Sequence, residues 1–236
     1  MSSKASPTTE VERQLFAAGS RFVIGVDEVG RGAIAGPVAV GVAILDSQTN
    51  NIDAVPAGLR DSKLLSEKQR VALIDPVQGW VRASAVGFAS AEEIDANGIV
   101  WALAVSASRA ISTLLEDSNL RAIIATDGAT ILLDGSHNWL QQHAGGLPVV
   151  VRPKADRDCA VVAAASVVAK VERDNLMIEL ANEHSGFGLE GHKGYASAAH
   201  IDAVRTIGPS SIHRKTWLTK ILAASQFEQP PNRDEQ

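Results

Sequence analysis

Apolar and polar positions along the chain change period several times, and each change marks an expected element. The apolar runs "FVIGVD" (22–27) and "GPVAVGVAIL" (36–45) have strand length and predict two buried strands joined through a glycine-rich turn. Residues 46–60 read as a loop. "SEKQRVALIDP" opens on a capping-box spacing, Ser66 and Gln69, and predicts a short helix stopping at Pro76. "WVRASAVGFA" (80–89) alternates like a strand and is followed by a second capping box, Ser90 and Glu93. "IVWALAVSASRAISTLLED" (99–117) has the period of a long helix, while "RAIIATDG" and "ILLDG" are short apolar runs ending on Asp-Gly. "LPVVVRPKAD" (147–156) predicts a last strand. A long helix follows from Arg157 to about Glu183, narrow at "AAAS" (163–166) and so able to pack closely. After "SGFGLEGHKGYAS" come two shorter helices.

Strands interleaved with helices early, and helices alone at the end, make this an α/β chain with a helical C-terminal extension. Residues 1–20 are expected as a flexible, polar N-terminal segment with a short helix through "EVERQLFAAG". Residues 21–225 form one domain, and 226–236 a disordered tail. No internal repeat breaks this order.

Composition narrows the picture. The 236 residues, 45% of them hydrophobic, can fill one large core or two small ones, and the 4% aromatic content suits helices packed on a sheet. The one cysteine, Cys159, excludes an internal disulfide framework and fits a reducing, cytoplasmic setting. The N-terminus lacks a signal-peptide core. The longest near-apolar run, "CAVVAAASVVA", is far short of the ~20 residues that span a bilayer, so a soluble protein without a membrane partner is expected. Net charge is −5. Yet from Glu190 to Lys220 five Lys or Arg stand against two acids, a local basic excess that on charge alone is a solvated helical surface.

The chemistry is written in carboxylates. Asp27 and Glu28, Asp134, and Asp156 stand where apolar strands give out, and strand ends on one edge of an open sheet converge. Each alone is an ordinary turn former or cap. Together they repel one another, a cost that an oxygen-seeking Mg²⁺ or Mn²⁺ relieves. Neighbours in a strand point to opposite faces, so Asp27 and Glu28 share a site only if pairing breaks there, which the following glycines make easy. Gly30-Arg31-Gly32 fits neither GxGxxG nor GxxxxGK[ST]; it is a tight turn or a place where bare backbone meets a substrate sugar or phosphate. Ser62 and Lys63 precede a helix, a setting that holds phosphates. Lys193 and Tyr195, the sole tyrosine, lie in a glycine-flexed basic loop where a ring can stack on a sugar or base.

These motifs, in this order, resemble the ribonuclease HII family. Its opening signature stands here as Asp27-Glu28-Val29-Gly30-Arg31-Gly32 with Gly36-Pro37, Val29 replacing the usual Ala. Its further elements match Asp61 to Ser66, Asp134-Gly135, Lys154-Ala155-Asp156, "AAASVVAKVERD" (163–174) and "GHKGYAS", with Ser197 where Thr is common. The resemblance runs from about Phe22 to Trp217. It implies a ribonuclease H-like mixed central sheet flanked by helices. It implies an endonuclease acting on RNA–DNA hybrids and on ribonucleotide-containing duplex DNA, incising 5′ of a single ribonucleotide and leaving 5′-phosphate and 3′-hydroxyl ends. Asp27, Glu28, Asp134 and Asp156 would be the catalytic, metal-holding acids, with Mn²⁺ or Mg²⁺, two ions when substrate is bound. Gly30, Arg31 and Gly32 would read the ribose 2′-hydroxyl, Tyr195 would pack on the adjoining deoxyribose, and Ser62 and Lys63 would hold phosphates. Lys193, from its basic loop, is a further substrate-binding candidate. Asp158 and Asp174 rank below Asp156. A monomer is expected, with the C-terminal tail as a contact for replication machinery. Two other classes compete: a non-catalytic nucleic-acid-binding module of this fold, which has no use for clustered acids facing phosphate, and a metal-dependent phosphomonoesterase, which would close a small pocket.

Overall fold

The computed structural model describes residues 6–48 and 52–223; the tail expected to be disordered lies outside them. A first helix, α1 (Glu10–Ala17), precedes the strands β1 (Phe22–Val29) and β2 (Val38–Asp46). Then come α2 (Glu67–Trp80), β3 (Ala83–Ala89), α3 (Ala91–Asn97), α4 (Ile99–Leu114), α5 (Ser118–Asp127), β4 (Ala129–Asp134) and β5 (Val149–Arg152). The chain ends in α6 (Ala155–Asp158), α7 (Ala160–Glu183), α8 (Leu189–His192), α9 (Ala198–Ile207) and α10 (Lys215–Ala223).

The five strands form one mixed sheet in the order β3-β2-β1-β4-β5. β1 and β3 run antiparallel to β2, while β4 runs parallel to both β1 and β5. The expected ribonuclease H-like mixed sheet between helices is what is found. Alternation along β1 divides the core: Phe22, Ile24 and Val26 face the layer of α4 and α5, and Val23 faces α7 and α2. A smaller cluster under the C-terminal helices joins Ile34, Met177, Phe187, Leu189, Val204 and Leu218.

α7 lies very close to the sheet. A Cβ placed on Gly41 would sit 2.3 Å from the Ala165 carbonyl oxygen, and one on Gly25 2.6 Å from the Val161 backbone. Glycine on the strand and alanine on the helix are what permit that approach.

Three local expectations need correction, and one apolar run given no element takes its form. α2 runs through Pro76 to Trp80, because burial of Leu73, Val77 and Trp80 outweighs the one lost hydrogen bond. The run at Arg121–Asp127 is helical, started by Asp117, whose carboxylate accepts from the Asn119 and Leu120 amides. The long helix is broken at Cys159, which is extended and pairs with Thr8. The part of the N-terminal segment within the described residues is anchored: α1 buries Glu12, whose Oε1 accepts from the Val161 amide at the start of α7 at 2.8 Å. Among the described residues, no single helix is long and apolar enough to cross a membrane.

Candidate active site

Adjacent strands deliver the acids. β1 and β4 pair in parallel as far as Val26 and Leu133, so Asp27 and Asp134 are the next residues of each strand. Asp134 pairs with Arg152 of β5, and four residues beyond Arg152 the chain reaches Asp156 in α6. Asp134 Oδ1 accepts from the Ala155 amide at 2.7 Å and from that of Asp156 at 3.4 Å, so the second acid caps the short helix that carries the third. One carboxylate oxygen from each of Asp27, Asp134 and Asp156 lies within 4.8 Å of the others.

Pairing between β1 and β2 stays regular through Val29 and Ala39, so the break expected at Asp27-Glu28 does not occur on that side. Glu28 accordingly stays outside the three-oxygen cluster. It lines the adjoining pocket and meets Arg31 at 3.5 Å.

The electrostatics are those of a cation site. Burial pushes the Asp27 carboxyl well above its usual range; the charges of Glu28 and Asp134 add to this, and Ser166 and Lys63 oppose it. Burial likewise raises Glu28, opposed chiefly by Arg31, and raises Asp156, helped by Asp134 and Asp61. Lys63 Nζ stands 3.3 Å from Asp156 Oδ2; burial would lower the ammonium, but Asp27, Asp156 and Asp61 hold it above its ordinary value. Three carboxylates against one ammonium leave two negative charges. Asp27 Oδ1 accepts from the Glu28 amide, while its buried Oδ2 has no partner among the described residues. An orphaned carboxylate oxygen beside two more acids fits a hard divalent cation.

Beside the acids opens a pocket of about 470 Å³, lined by Glu28 to Gly32, Ser62, Lys63, Lys170 and Tyr195. Most of the residues singled out in the sequence thus meet here, in different roles. Ser62 is buried and shares its hydroxyl hydrogen bond with Ser166 at 2.8 Å, so its side chain is already engaged. Lys193 is a correction: its ammonium donates to the Glu190 carbonyl, the residue is only 8% exposed, and it does not line the pocket. Arg214 is fully buried as well, so two of the five basic residues of that region are internal donors and no continuous basic face runs through them. Asp158 is held below its usual range by Arg157, and Asp174 is occupied by Lys170 at 2.7 Å and Arg70 at 3.6 Å.

Sequence patterns did not single out Lys170, Arg173 or Arg214. Lys170 Nζ and the Arg173 guanidinium approach the Tyr195 ring, at 5.8 and 5.6 Å from its centre. The "K-x-x-R" spacing in α7 was the available signal, since it places both residues on one helical face.

Comparison with known proteins gives residues 24–220 a match to the family model described as Ribonuclease HII. The Ribonuclease HII of Streptomyces avermitilis is 44% identical over 214 residues, covering 89% of this chain and 83% of that relative. That of Caulobacter vibrioides (strain NA1000 / CB15N) is 40% identical over 204 residues, 86% and 87% of the two chains. Among solved structures, ribonuclease H2 from Pyrococcus horikoshii OT3 superposes with a TM-score of 0.62 at 26% identity, over 88% of this chain and 100% of that one. Bst-RNase HIII in complex with Mn²⁺ shares the fold, with a TM-score of 0.64 at 21% identity over 95% and 75% of the two chains.

Proposed function

The chain belongs to the ribonuclease HII family and is an endoribonuclease acting on RNA–DNA hybrids, and from that premise we propose how its residues do the work. Asp27, Asp134 and Asp156 would hold the divalent cation, Mg²⁺ or Mn²⁺, with Glu28 at the pocket edge as the fourth acid of the site. The observation that carries this is the cluster of three carboxylate oxygens within 4.8 Å of one another, with Asp27 keeping a buried oxygen that has no partner among the described residues. When bound, such cations supply an activated water and stabilise the leaving 3′-oxygen.

The remaining work belongs to the chain. Asp134 positions Asp156 through the α6 amides, and Lys63 offsets the cluster's charge while facing the pocket. The turn at Gly30-Arg31-Gly32 offers backbone at the pocket wall. Among the described residues the Arg31 and Gly32 amides have no acceptor, so they are free to donate to a ribose 2′-hydroxyl, the group that distinguishes RNA from DNA. Tyr195, 38% exposed and flanked by Lys170, offers a ring to the adjoining sugar. The products carry 5′-phosphate and 3′-hydroxyl ends, and a single ribonucleotide in duplex DNA is cut on its 5′ side. The pocket beside the acids is a substrate-reading surface, and a purely binding module of this fold would have no use for clustered negative charge next to it.

The test is cleavage of a duplex with one embedded ribonucleotide in Mg²⁺, in Mn²⁺ and in EDTA. Metal-dependent incision at a single position 5′ of the ribonucleotide is expected. Cleavage that persists in EDTA, or none with either metal while a continuous hybrid is cut, would refute the assignment.

A further inference from the structure

Two guanidiniums lie entirely inside the protein without an ion-paired carboxylate among the described residues. Arg173 of α7 donates through Nε to the Pro37 carbonyl at 2.9 Å, through Nη1 to Lys193 at 3.0 Å and through Nη2 to Ala35 at 3.4 Å. Arg214, just before α10, donates to the carbonyls of Gly30 at 2.7 Å, Arg31 at 2.8 Å and Gly36 at 3.2 Å. Both are 0% exposed, and burial is the leading cause that lowers each below its ordinary pKa. Removing two charges from water without an opposite charge is expensive; six carbonyl dipoles offset it, with the Tyr195 ring 5.6 Å from Arg173 and the Trp217 ring 4.9 Å from Arg214.

The choice of carbonyls is what matters. Five belong to the turn between the first acids and β2, and the sixth belongs to the loop that carries Tyr195. The same strand-like segment ties these parts again: Gly36 donates to the Ile212 carbonyl, the Arg214 amide to that of Ile34, and Ile34 and Ala35 both donate to Gly194. His213 and His200 extend the tie. The Ser210 amide donates to His213 Nδ1, so His213 Nε2 donates to His200 Nε2 at 3.1 Å, and His200 Nδ1 donates to the Tyr195 carbonyl at 2.9 Å. With the Gly30 and Arg31 carbonyls turned inward onto Arg214, the turn leaves its amides for the pocket.

We propose that Arg214 and Arg173 are positioning residues that lock the Gly30–Gly32 turn and the Tyr195 loop into one rigid unit, and thereby set the selectivity for a lone ribonucleotide over a continuous hybrid. This rests on the functional reading above. On a hybrid every sugar of the RNA strand offers a 2′-hydroxyl, so a displaced turn still finds one in a neighbouring register. A single embedded ribonucleotide offers one productive register only. Discrimination therefore depends on the distance between turn and ring being fixed, which the planar, five-donor guanidinium can do and an ammonium cannot.

Arg214→Lys keeps the charge and removes the fork. The measurement is kcat/KM on a single-ribonucleotide duplex and on a continuous hybrid, together with the Mn²⁺-induced rise in melting temperature. About tenfold or greater loss on the single-ribonucleotide duplex is expected, with about threefold or less on the hybrid and the Mn²⁺ effect unchanged. Equal losses on both substrates, or none on either, would overturn the inference. Should Arg214→Lys not fold, Arg173→Lys decides by the same criterion, and unfolding of both variants marks the pair as core and overturns the specificity role. Failure of the wild-type protein to cut the single-ribonucleotide duplex would instead overturn the functional reading itself.

Discussion

Asp27, Asp134 and Asp156 were legible in the sequence because carboxylates at the ends of apolar strands have few other uses in such number. Glu12 was not. In the sequence it is one of two acids in a polar N-terminal segment; in the fold it is fully buried at the N-terminus of α7. Burial lifts its carboxyl from 4.5 to about 7, against the pull of the Val161 amide. The group is thus favoured in its protonated form. Its stabilising effect is full below the unfolded pKa and is lost as pH rises through about 7, a change of about 3 kcal/mol. Glu12→Gln should therefore flatten the decline in stability between pH 5 and pH 8, and at pH 8 it should match or exceed the wild type in chemical denaturation. A variant weakened equally at both pH values would show that ionisation of Glu12 is not what matters there. Arg173 and Arg214 escaped notice, and Lys193 was read as a substrate contact, for the same reason: a basic residue in a polar context reads as solvated until the fold shows the carbonyls it meets. Gly30 belongs with them. It has φ +80°, and a Cβ there would meet Arg173 Nε at 2.0 Å, so the constraint on this glycine comes from inside the protein as well as from the pocket.

The strands were legible as elements because four are short apolar runs and β3 alternates with the period of a strand. Helix ends were less so, since they are settled by partners distant in sequence. Pro76 reads locally as a stop, but Val77 and Trp80 beyond it have a core to fill. The break before α7 exists because Thr8, about 150 residues earlier, pairs with Cys159. The narrowness of "AAAS" did announce close packing, and Gly41 is the strand's half of that contact. Gly41→Ala puts a methyl group 2.3 Å from the Ala165 carbonyl oxygen and should cost about 1–3 kcal/mol. Thermal denaturation against Gly79→Ala, where nothing lies within 4 Å of the new methyl group, provides the control. Equal melting temperatures in the two variants would mean that α7 can move away from the sheet at little cost.

For the whole molecule, the net charge of −5 says little about its nucleic-acid partner, because the charges that matter are arranged locally. Without a cation, the carboxyls raised by burial make the folded protein lose stability as pH climbs out of the ordinary carboxylate range. Divalent metal binds the ionised forms and should reverse that loss. Mn²⁺ should then raise the melting temperature more at pH 8 than at pH 5, and Asp27→Asn should abolish most of the difference. A pH-independent increment, or one kept by Asp27→Asn, would place the cation elsewhere. The central claim is that sheet topology brings three acids together into one metal-dependent catalytic centre. Its most direct test is single-turnover cleavage of the one-ribonucleotide duplex in Mg²⁺ by Asp134→Asn, with duplex affinity measured in parallel. A loss of about a thousandfold or more in rate is predicted, with duplex binding equal or tighter because a charge facing phosphate has gone. Near-normal turnover by the folded variant would contradict the account.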